Sequence, residues 1–260
     1  MKPATQAFST GLARALSKLG YCSRSAARQL VEEGRVQLNG HVARRPEAPM
    51  RLGKDQITVD GQPVSQAAPL YLMLNKPRGI VTTASDEKGR QTAYSLLPAY
   101  QQWLAPVGRL DKASEGLLLI TNDSDWAAGI ASPETHLEKT YHVQIGAVAD
   151  EAVLNRLRLG VAIDGDLLRA RRVALLRRGQ KNCWLEVVLD EGKNRQIRRM
   201  LAASGIEVLR LVRTAIGPLH LGDLPKGASR ELTPAEKRQI DLACLNKSRA
   251  DRIARTPGAR

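Results

Sequence analysis

Leu12, Leu16 and Leu19 recur at spacings of four and three, which predicts a short amphipathic helix closed by Gly20. Ser23 stands where a side chain caps a second helix over 24–33, and Gly34 stands where it ends. Val36 and Leu38 then alternate with polar residues up to Asn39-Gly40, a strong two-residue hairpin signal, with Val42 beyond it. Ile57 and Val59 alternate again before Asp60-Gly61. Two helices followed by short strands predict a small α+β module over 11–61. Residues 62–69 (QPVSQAAP) are polar and rich in Pro and Ala, and read as a linker.

From Leu70 the pattern changes. Apolar runs and alternations predict strands over 70–75, 117–121, 140–145, 172–176, 183–189 and 208–212, and helices over 150–159, 194–204 and 234–242. Asn194 is expected to cap the second of these helices and Gly205 to end it. Strands outnumber helices and do not alternate strictly with them, so the larger domain, 70–243, is expected to be α+β with a mainly antiparallel sheet rather than a doubly wound parallel one. No fixed-period repeat is visible. The tail, 244–260, is basic without apolar periodicity and reads as disordered.

The 260 residues include 43% hydrophobic residues, enough for a sizeable core, which excludes wholesale disorder. Charge narrows the partner. Forty Lys and Arg against 26 Asp and Glu give a net +14, which calls for a polyanion: nucleic acid first, an anionic membrane surface second. The longest apolar run, around 67–74, contains Pro69 and is far short of the ~18 residues of a spanning helix. No apolar signal segment opens the chain. The first acid is Glu32, as in a mitochondrial transit peptide, but the same stretch carries the helical pattern above, so the cytoplasm is the expected compartment. Cys22, Cys183 and Cys244 fit neither a disulfide framework nor a zinc site, and the four histidines have no metal-ligand spacing; no metal is expected.

Three segments could carry chemistry. In VGRLDKASEGLLLITND (107–123) Asp111 lies between Arg109 and Lys112 just before an apolar strand, either a structural ion pair or an ionised carboxylate poised as a nucleophile. In HLEKTYHVQIGA (136–147) Lys139 and Tyr141 share a strand face: Tyr141 is a core residue, or it stacks on a base while Lys139 holds a phosphate. In DEGKNRQIRRMLAASG (190–205) Arg195, Arg198 and Arg199 share one helix face and, with Lys193, make a basic end suited to phosphate, or a solvated stripe.

The stretch LARALSKLGYCSRSAARQLVEEGRVQLNGHVA, followed by DQITVDGQPV, resembles the RNA-binding domain named after ribosomal protein S4. That resemblance implies RNA near Ser23, Arg24, Arg28, Arg35 and Asn39; Arg24 and Arg28, four apart, share a helix face. GRLDKASEGLLLITND, with LNKPRGIV, EKTYHV, EGKNRQIRRM and LRLVRTAIGPLHLGDLPKGASREL in order, is similar to RNA pseudouridine synthases of the RsuA-like branch that modify bacterial ribosomal RNA. The match runs from about residue 11 to 234. It implies Asp111 as the catalytic aspartate, Tyr141 against the target uracil, Arg198 (rather than Arg199) paired with Asp111, and Leu211 (with Leu209 the competitor) as an apolar wall. Lys76, Arg109, Lys139, Arg195 and Arg199 follow as phosphate or structural contacts.

The implied reaction, uridine to pseudouridine, needs neither redox nor a group donor, so no cofactor is expected. The implied partner is ribosomal RNA, 23S, or a pre-ribosomal particle, met by a monomer away from membranes. Two rivals compete. One is a non-catalytic RNA-binding assembly factor, which has no use for Asp111. The other is a glycosidic hydrolase that adds Glu115 or Asp123 as second carboxylate.

Overall fold

The computed structural model describes residues 9–83, 89–100 and 102–254. It divides into two compact units: one holds the chain up to Tyr71 with Ala99–Ala105 and Ile120–Ala127, the other holds the remainder.

In the first unit β1 (Thr10–Gly11) leads into α1 (Leu12–Lys18), and α2 (Arg24–Glu32) follows. Ser23 Oγ accepts the Ala26 N–H at 3.0 Å, capping α2 as the sequence predicts. Next come β2 (Val36–Leu38), β3 (His41–Ala43), β4 (Pro49–Met50), β5 (Ile57–Val59) and β6 (Gln62–Pro63). Asn39 (φ 53°) and Gly40 (φ 81°) make the tight turn between β2 and β3. Leu12, Leu16, Ala27, Val31, Val36, Met50, Ile57 and Val59 form one core. Residues 62–63 differ from the expected linker: they pair with β5, and Val64 packs on the core. Asn122 fastens the segment that follows, accepting the Leu70 N–H and donating to the Ala68 carbonyl, each at 2.8 Å.

The second unit is built on a nine-stranded sheet. Its strands are β7 (Tyr71–Lys76), β8 (Ala105–Pro106), β9 (Glu115–Thr121), β10 (Lys139–Ile145), β13 (Arg172–Arg178), β14 (Cys183–Leu189), β15 (Val208–Ile216), β16 (Leu219–His220) and β17 (Ser229–Glu231). Between them lie α3 (Ser124–Ala131), α4 (Glu151–Leu159), the hairpin β11 (Val161–Ile163) and β12 (Asp166–Leu168), α5 (Gln196–Ala202) and, at the end, α6 (Pro234–Ala254). The order is β13-β14-β10-β15-β9-β7-β17, with β16 on β15 and β8 on β9. Its pairs are mainly antiparallel, as expected for α+β, but β9 runs parallel to β15. All seven residues of β9 are buried, as a strand covered on both faces requires. Leu154 and Leu157 of α4 and Ile197, Met200 and Leu201 of α5 pack with Val143, Leu185, Val187 and Leu211 of the sheet.

All six expected strands and the three helices of this domain are present, the strand over 183–189 with the expected bounds and the others with one or both ends shifted. Asp150 caps α4 through the Val153 N–H at 2.9 Å. Asn194 does not cap α5: the chain enters through Arg195 in the left-handed region, φ 48°, and the helix begins at Gln196. α3, capped by Asp123 Oδ1 at the Trp126 N–H (2.9 Å), was outside the expected set. α6 runs to Ala254, where a disordered tail was expected from 244. Ala, Leu, Lys and Arg in that stretch favour helix without any apolar face, so periodicity misses it. Residues 255–260 lie outside the described residues.

Gly116 shows why one strand pair is so close. Its φ is +103°, and a Cβ there would stand 2.2 Å from the Arg213 carbonyl oxygen. Gly116→Ala is expected to cost about 3 kcal/mol through strain and overpacking, read as a lower urea midpoint. A loss under ~1 kcal/mol would show that β9 and β15 separate easily.

Candidate active site

The loop from β8 to β9 is held by its backbone. Lys76, wholly buried, donates from Nζ to the carbonyls of Asp111 (3.1 Å), Ser114 (2.8 Å) and Pro77 (3.2 Å). Thr82 Oγ1 donates to the Leu110 carbonyl at 2.8 Å, and the Gly79 N–H to the Lys112 carbonyl at 2.8 Å. The Ser114 N–H closes the turn on the Asp111 carbonyl at 2.9 Å. These bonds fix the Asp111 main chain and leave its carboxylate 34% exposed.

That carboxylate faces Arg195, with Nη1 3.5 Å from Oδ2, an ion pair at the long end of hydrogen bonding. The partner implied by the resemblance was Arg198. Instead, Arg198 donates to the carbonyls of Ala113 (Nη2, 3.0 Å) and Val208 (Nη1, 3.2 Å). It braces the loop through its backbone, and its Nε is buried without a partner among the described residues. Arg109 stays exposed, so the cations beside Asp111 in sequence give way to one brought by α5.

Tyr141 and Leu211 share the α5 side of the sheet. Val143 lies opposite Leu211, and Tyr141, two residues back, projects the same way. Tyr141 is half-buried against the core, and Leu211 is buried. A register shift between Gln144 and Ile145 leaves Leu209 out of the ladder, so Leu211 is the better placed of the two. Lys139 falls on the same face as Tyr141.

Most other residues implied as RNA contacts are already engaged. Lys76 is buried and cannot meet a phosphate. Arg199 pairs with Asp164 at 2.9 Å. In the first unit Arg28 pairs with Glu47 (2.7 Å), Arg35 grips Asp60 through two nitrogens, Asn39 accepts the Gln56 N–H (2.9 Å), and Ser23 is the helix cap. Arg24 is exposed and makes no ion pair among the described residues.

Glu115, the second carboxylate that the hydrolase reading offers, is tied up inside the fold. It is buried, and Arg210 grips it from Nε and Nη2 at 3.1 Å each while Lys226 approaches to 2.5 Å. Burial pushes its carboxyl up, but the hydrogen bonds from Arg210 and Lys226 outweigh it and leave Glu115 below the usual carboxylate range. Asp123 is likewise committed, to the cap of α3 and to the Tyr71 hydroxyl at 2.9 Å. A charged residue opening an otherwise apolar strand is the sequence signal for Glu115. Burial also pushes the Lys76 ammonium down to about 8, although the charges of Asp111 and Glu115 pull it back up.

Residues 10–57 match the S4 domain, and residues 70–203 match the family described as RNA pseudouridylate synthase. Fold and site together thus define an RNA-modifying enzyme that carries its own RNA-binding unit. The chain is 34% identical over 231 residues to the ribosomal large subunit pseudouridine synthase B of Bacillus subtilis, covering 88% of this chain and 94% of that one. It is 36% identical over 226 residues to an uncharacterized RNA pseudouridine synthase of Aquifex aeolicus, covering 86% and 91%. A crystal structure of a pseudouridylate synthase superposes with a TM-score of 0.63 at 27% identity, covering 89% of this chain and 99% of that one. The chain belongs to the RNA pseudouridine synthases, in the RsuA-like branch with an N-terminal S4 domain.

Lys76 makes the site sensitive to alkali. As pH rises through about 8 the ammonium loses its proton, and a neutral amine has too few N–H groups for three carbonyls. Turnover should fall along a one-proton limb near pH 8. Stability moves the other way. The folded pKa lies below the model-compound 10.5, so between 8 and 10.5 the unfolded chain holds the extra proton and this titration raises stability with pH. A flat single-turnover profile from pH 7 to 9.5 would remove Lys76 from control of the loop.

Proposed function

We propose that this enzyme isomerises uridine in ribosomal RNA of the large subunit to pseudouridine, with Asp111 as its catalytic carboxylate and without a cofactor. The observation that carries the reading is the division of labour around Asp111: buried Lys76 and half-buried Arg198 hold the backbone, while the carboxylate stays partly exposed and faces Arg195. The Bacillus subtilis relative's name supports ribosomal RNA as the substrate.

The reaction breaks the nitrogen–carbon glycosidic bond, turns the uracil, and joins its ring carbon five to the same sugar carbon. The proton on that ring carbon is lost and the ring nitrogen regains one, so substrate and product are isomers. A carboxylate serves either by attacking the sugar carbon or by taking a proton from the sugar, and both routes need one oriented, ionised group. The uridine must leave its stack, at a cost of ~a few kcal/mol, least in a single-stranded loop. Contact with the Tyr141 ring, over the wall made by Leu211, offsets that cost. The protein acts as a cytoplasmic monomer on free RNA or a pre-ribosomal particle.

Neither rival fits as well. An assembly factor gains nothing from an acid among phosphate-binding cations. A hydrolase needs a second carboxylate free to protonate the leaving group, and Glu115 and Asp123 are both tied up.

Asp111→Asn should abolish product and leave RNA affinity within about twofold, because an uncharged amide keeps the shape. Pseudouridine mapping on 23S and 16S RNA from a deletion strain, complemented by wild type or by Asp111→Asn, reads this directly. One site lost on deletion and restored by wild type alone is the expected result; restoration by Asp111→Asn would overturn the role of Asp111. Arg195→Gln frees the carboxylate and should lower single-turnover rates about a hundredfold. Wild-type rates in that variant would show that Arg195 does not orient Asp111.

A further inference from the structure

The opposite face of the same sheet carries a row that the candidate active site does not use. Arg177 on β13 lies opposite Trp184 on β14, Trp184 opposite Gln144 on β10, and Gln144 opposite Arg210 on β15. Leu185, Val143 and Leu211, chain neighbours of Trp184, Gln144 and Arg210, point into the core, so these three point away from it, and Arg177 joins them with its guanidinium over the Trp184 ring. At ~4.8 Å per strand the row spans roughly 14 Å. The guanidinium carbons of Arg177 and Arg210 lie 6.0 and 5.5 Å from the centre of the Trp184 ring, within cation–π reach.

The two arginines are held differently. Arg210 is anchored by both oxygens of Glu115. Arg177 is exposed and makes no hydrogen bond or ion pair among the described residues; its partner is the ring alone. In the turn beyond it, Arg178-Gly179-Gln180-Lys181, Arg178 donates to the Ala149 carbonyl at 3.2 Å, which leaves Lys181 as the added exposed cation, with no acid beside it. A structural cluster would set a carboxylate against Arg177 to relieve the repulsion. Glu115 answers the charge of Arg210, but Arg177 lies over the half-buried indole with no carboxylate set against it, a charge left for an anion to meet.

The geometry points to this row as a second RNA contact surface, one that grips the substrate outside its reacting nucleotide. An unpaired base stacks on Trp184, Arg177 swings from the ring to an adjacent phosphate, and Arg210 stays in place on Glu115. Gln144, whose amide reaches the Asn182 side-chain oxygen at 3.5 Å, offers a polar edge beside the base. The inference rests on the reading of this enzyme as acting on ribosomal RNA and deepens it, since Tyr141 and Leu211 serve the reacting uridine from the other face.

The test uses the full chain, a 23S transcript as substrate and a single-stranded oligouridylate as a binding probe. Arg177→Glu should raise KM for the transcript and Kd for both RNAs about tenfold, far more than it lowers kcat, and make log Kd less steep in log salt. Trp184→Leu should weaken oligouridylate binding about tenfold, and Trp184→Phe should recover most of it. With Trp103→Phe and Trp126→Phe as background, oligouridylate should quench the remaining indole fluorescence. If Trp184→Leu fails to fold, Arg177→Glu, an exposed position, still decides. Unchanged KM, Kd and salt slope in a folded, pseudouridine-forming Arg177→Glu protein would overturn the surface and leave the enzyme reading intact. Weakened binding in Arg177→Glu with no pseudouridine from wild type would uphold the surface and sink the ribosomal substrate reading.

Discussion

The close parallel pairing of β9 and β15 sets the candidate site. β15 is antiparallel to β10 and β16 but parallel to β9, with Glu115 opposite Val212 and Gly116 opposite Arg213. Parallel strands bring their starts to the same end. The Asp111 loop runs into β9 and Leu211 precedes Val212 on β15, so both arrive together. An antiparallel pair would put the loop beside the residues after Arg213 instead. Gly116 permits the approach, because any side chain there would meet the Arg213 backbone. Arg213 Nε then donates to the Leu117 carbonyl at 2.8 Å, a further tie between the two strands.

A loop at the end of a close strand pair still needs a fixed shape, and Lys76 supplies it. An ammonium is a compact charge with three donors, which suits three carbonyls converging from different directions better than a planar guanidinium does. Burying it is costly, and the nearby charges of Asp111 and Glu115 offset part of that cost. Glu115 in turn is balanced by Arg210 and Lys226. The chain's positive excess is therefore of two kinds. Lys76, Arg198, Arg210 and Arg213 are spent on carbonyls and carboxylates inside the fold, whereas Arg24, Arg109 and Arg177 are among those that stand exposed to a polyanion.

Much of this was legible in the sequence. Alternation marked the strands because one face of most of them packs on α4 and α5, and turn residues such as Asn39-Gly40 marked the hairpin because they alone adopt its positive φ cheaply. What escaped had no such signature. α3 is short and mixed, β11 and β12 are three residues each, and the end of α6 has helix propensity without apolar periodicity. The motif pointed to Asp111, and the structure sets a cation against it. It could not say which cation, because a run of basic residues around a helix start differs only in direction, and direction depends on where that helix begins.

The start of α5 settles the matter. Had Asn194 capped the helix, Arg195 would have been its first residue. Arg195 instead takes φ 48°, a conformation that costs a non-glycine residue roughly 1 kcal/mol or more, and the helix begins one residue later. That kink separates Arg195, outside the helix and half-exposed, from Arg198, inside it and half-buried. The outer arginine meets the carboxylate, and the inner one meets the carbonyls of Ala113 and Val208. The guanidinium of Arg198 is committed to two carbonyls, whereas that of Arg195 reaches the carboxylate from outside the helix. The strained residue thus sets one cation against Asp111, while the cation that holds the loop is built into the helix.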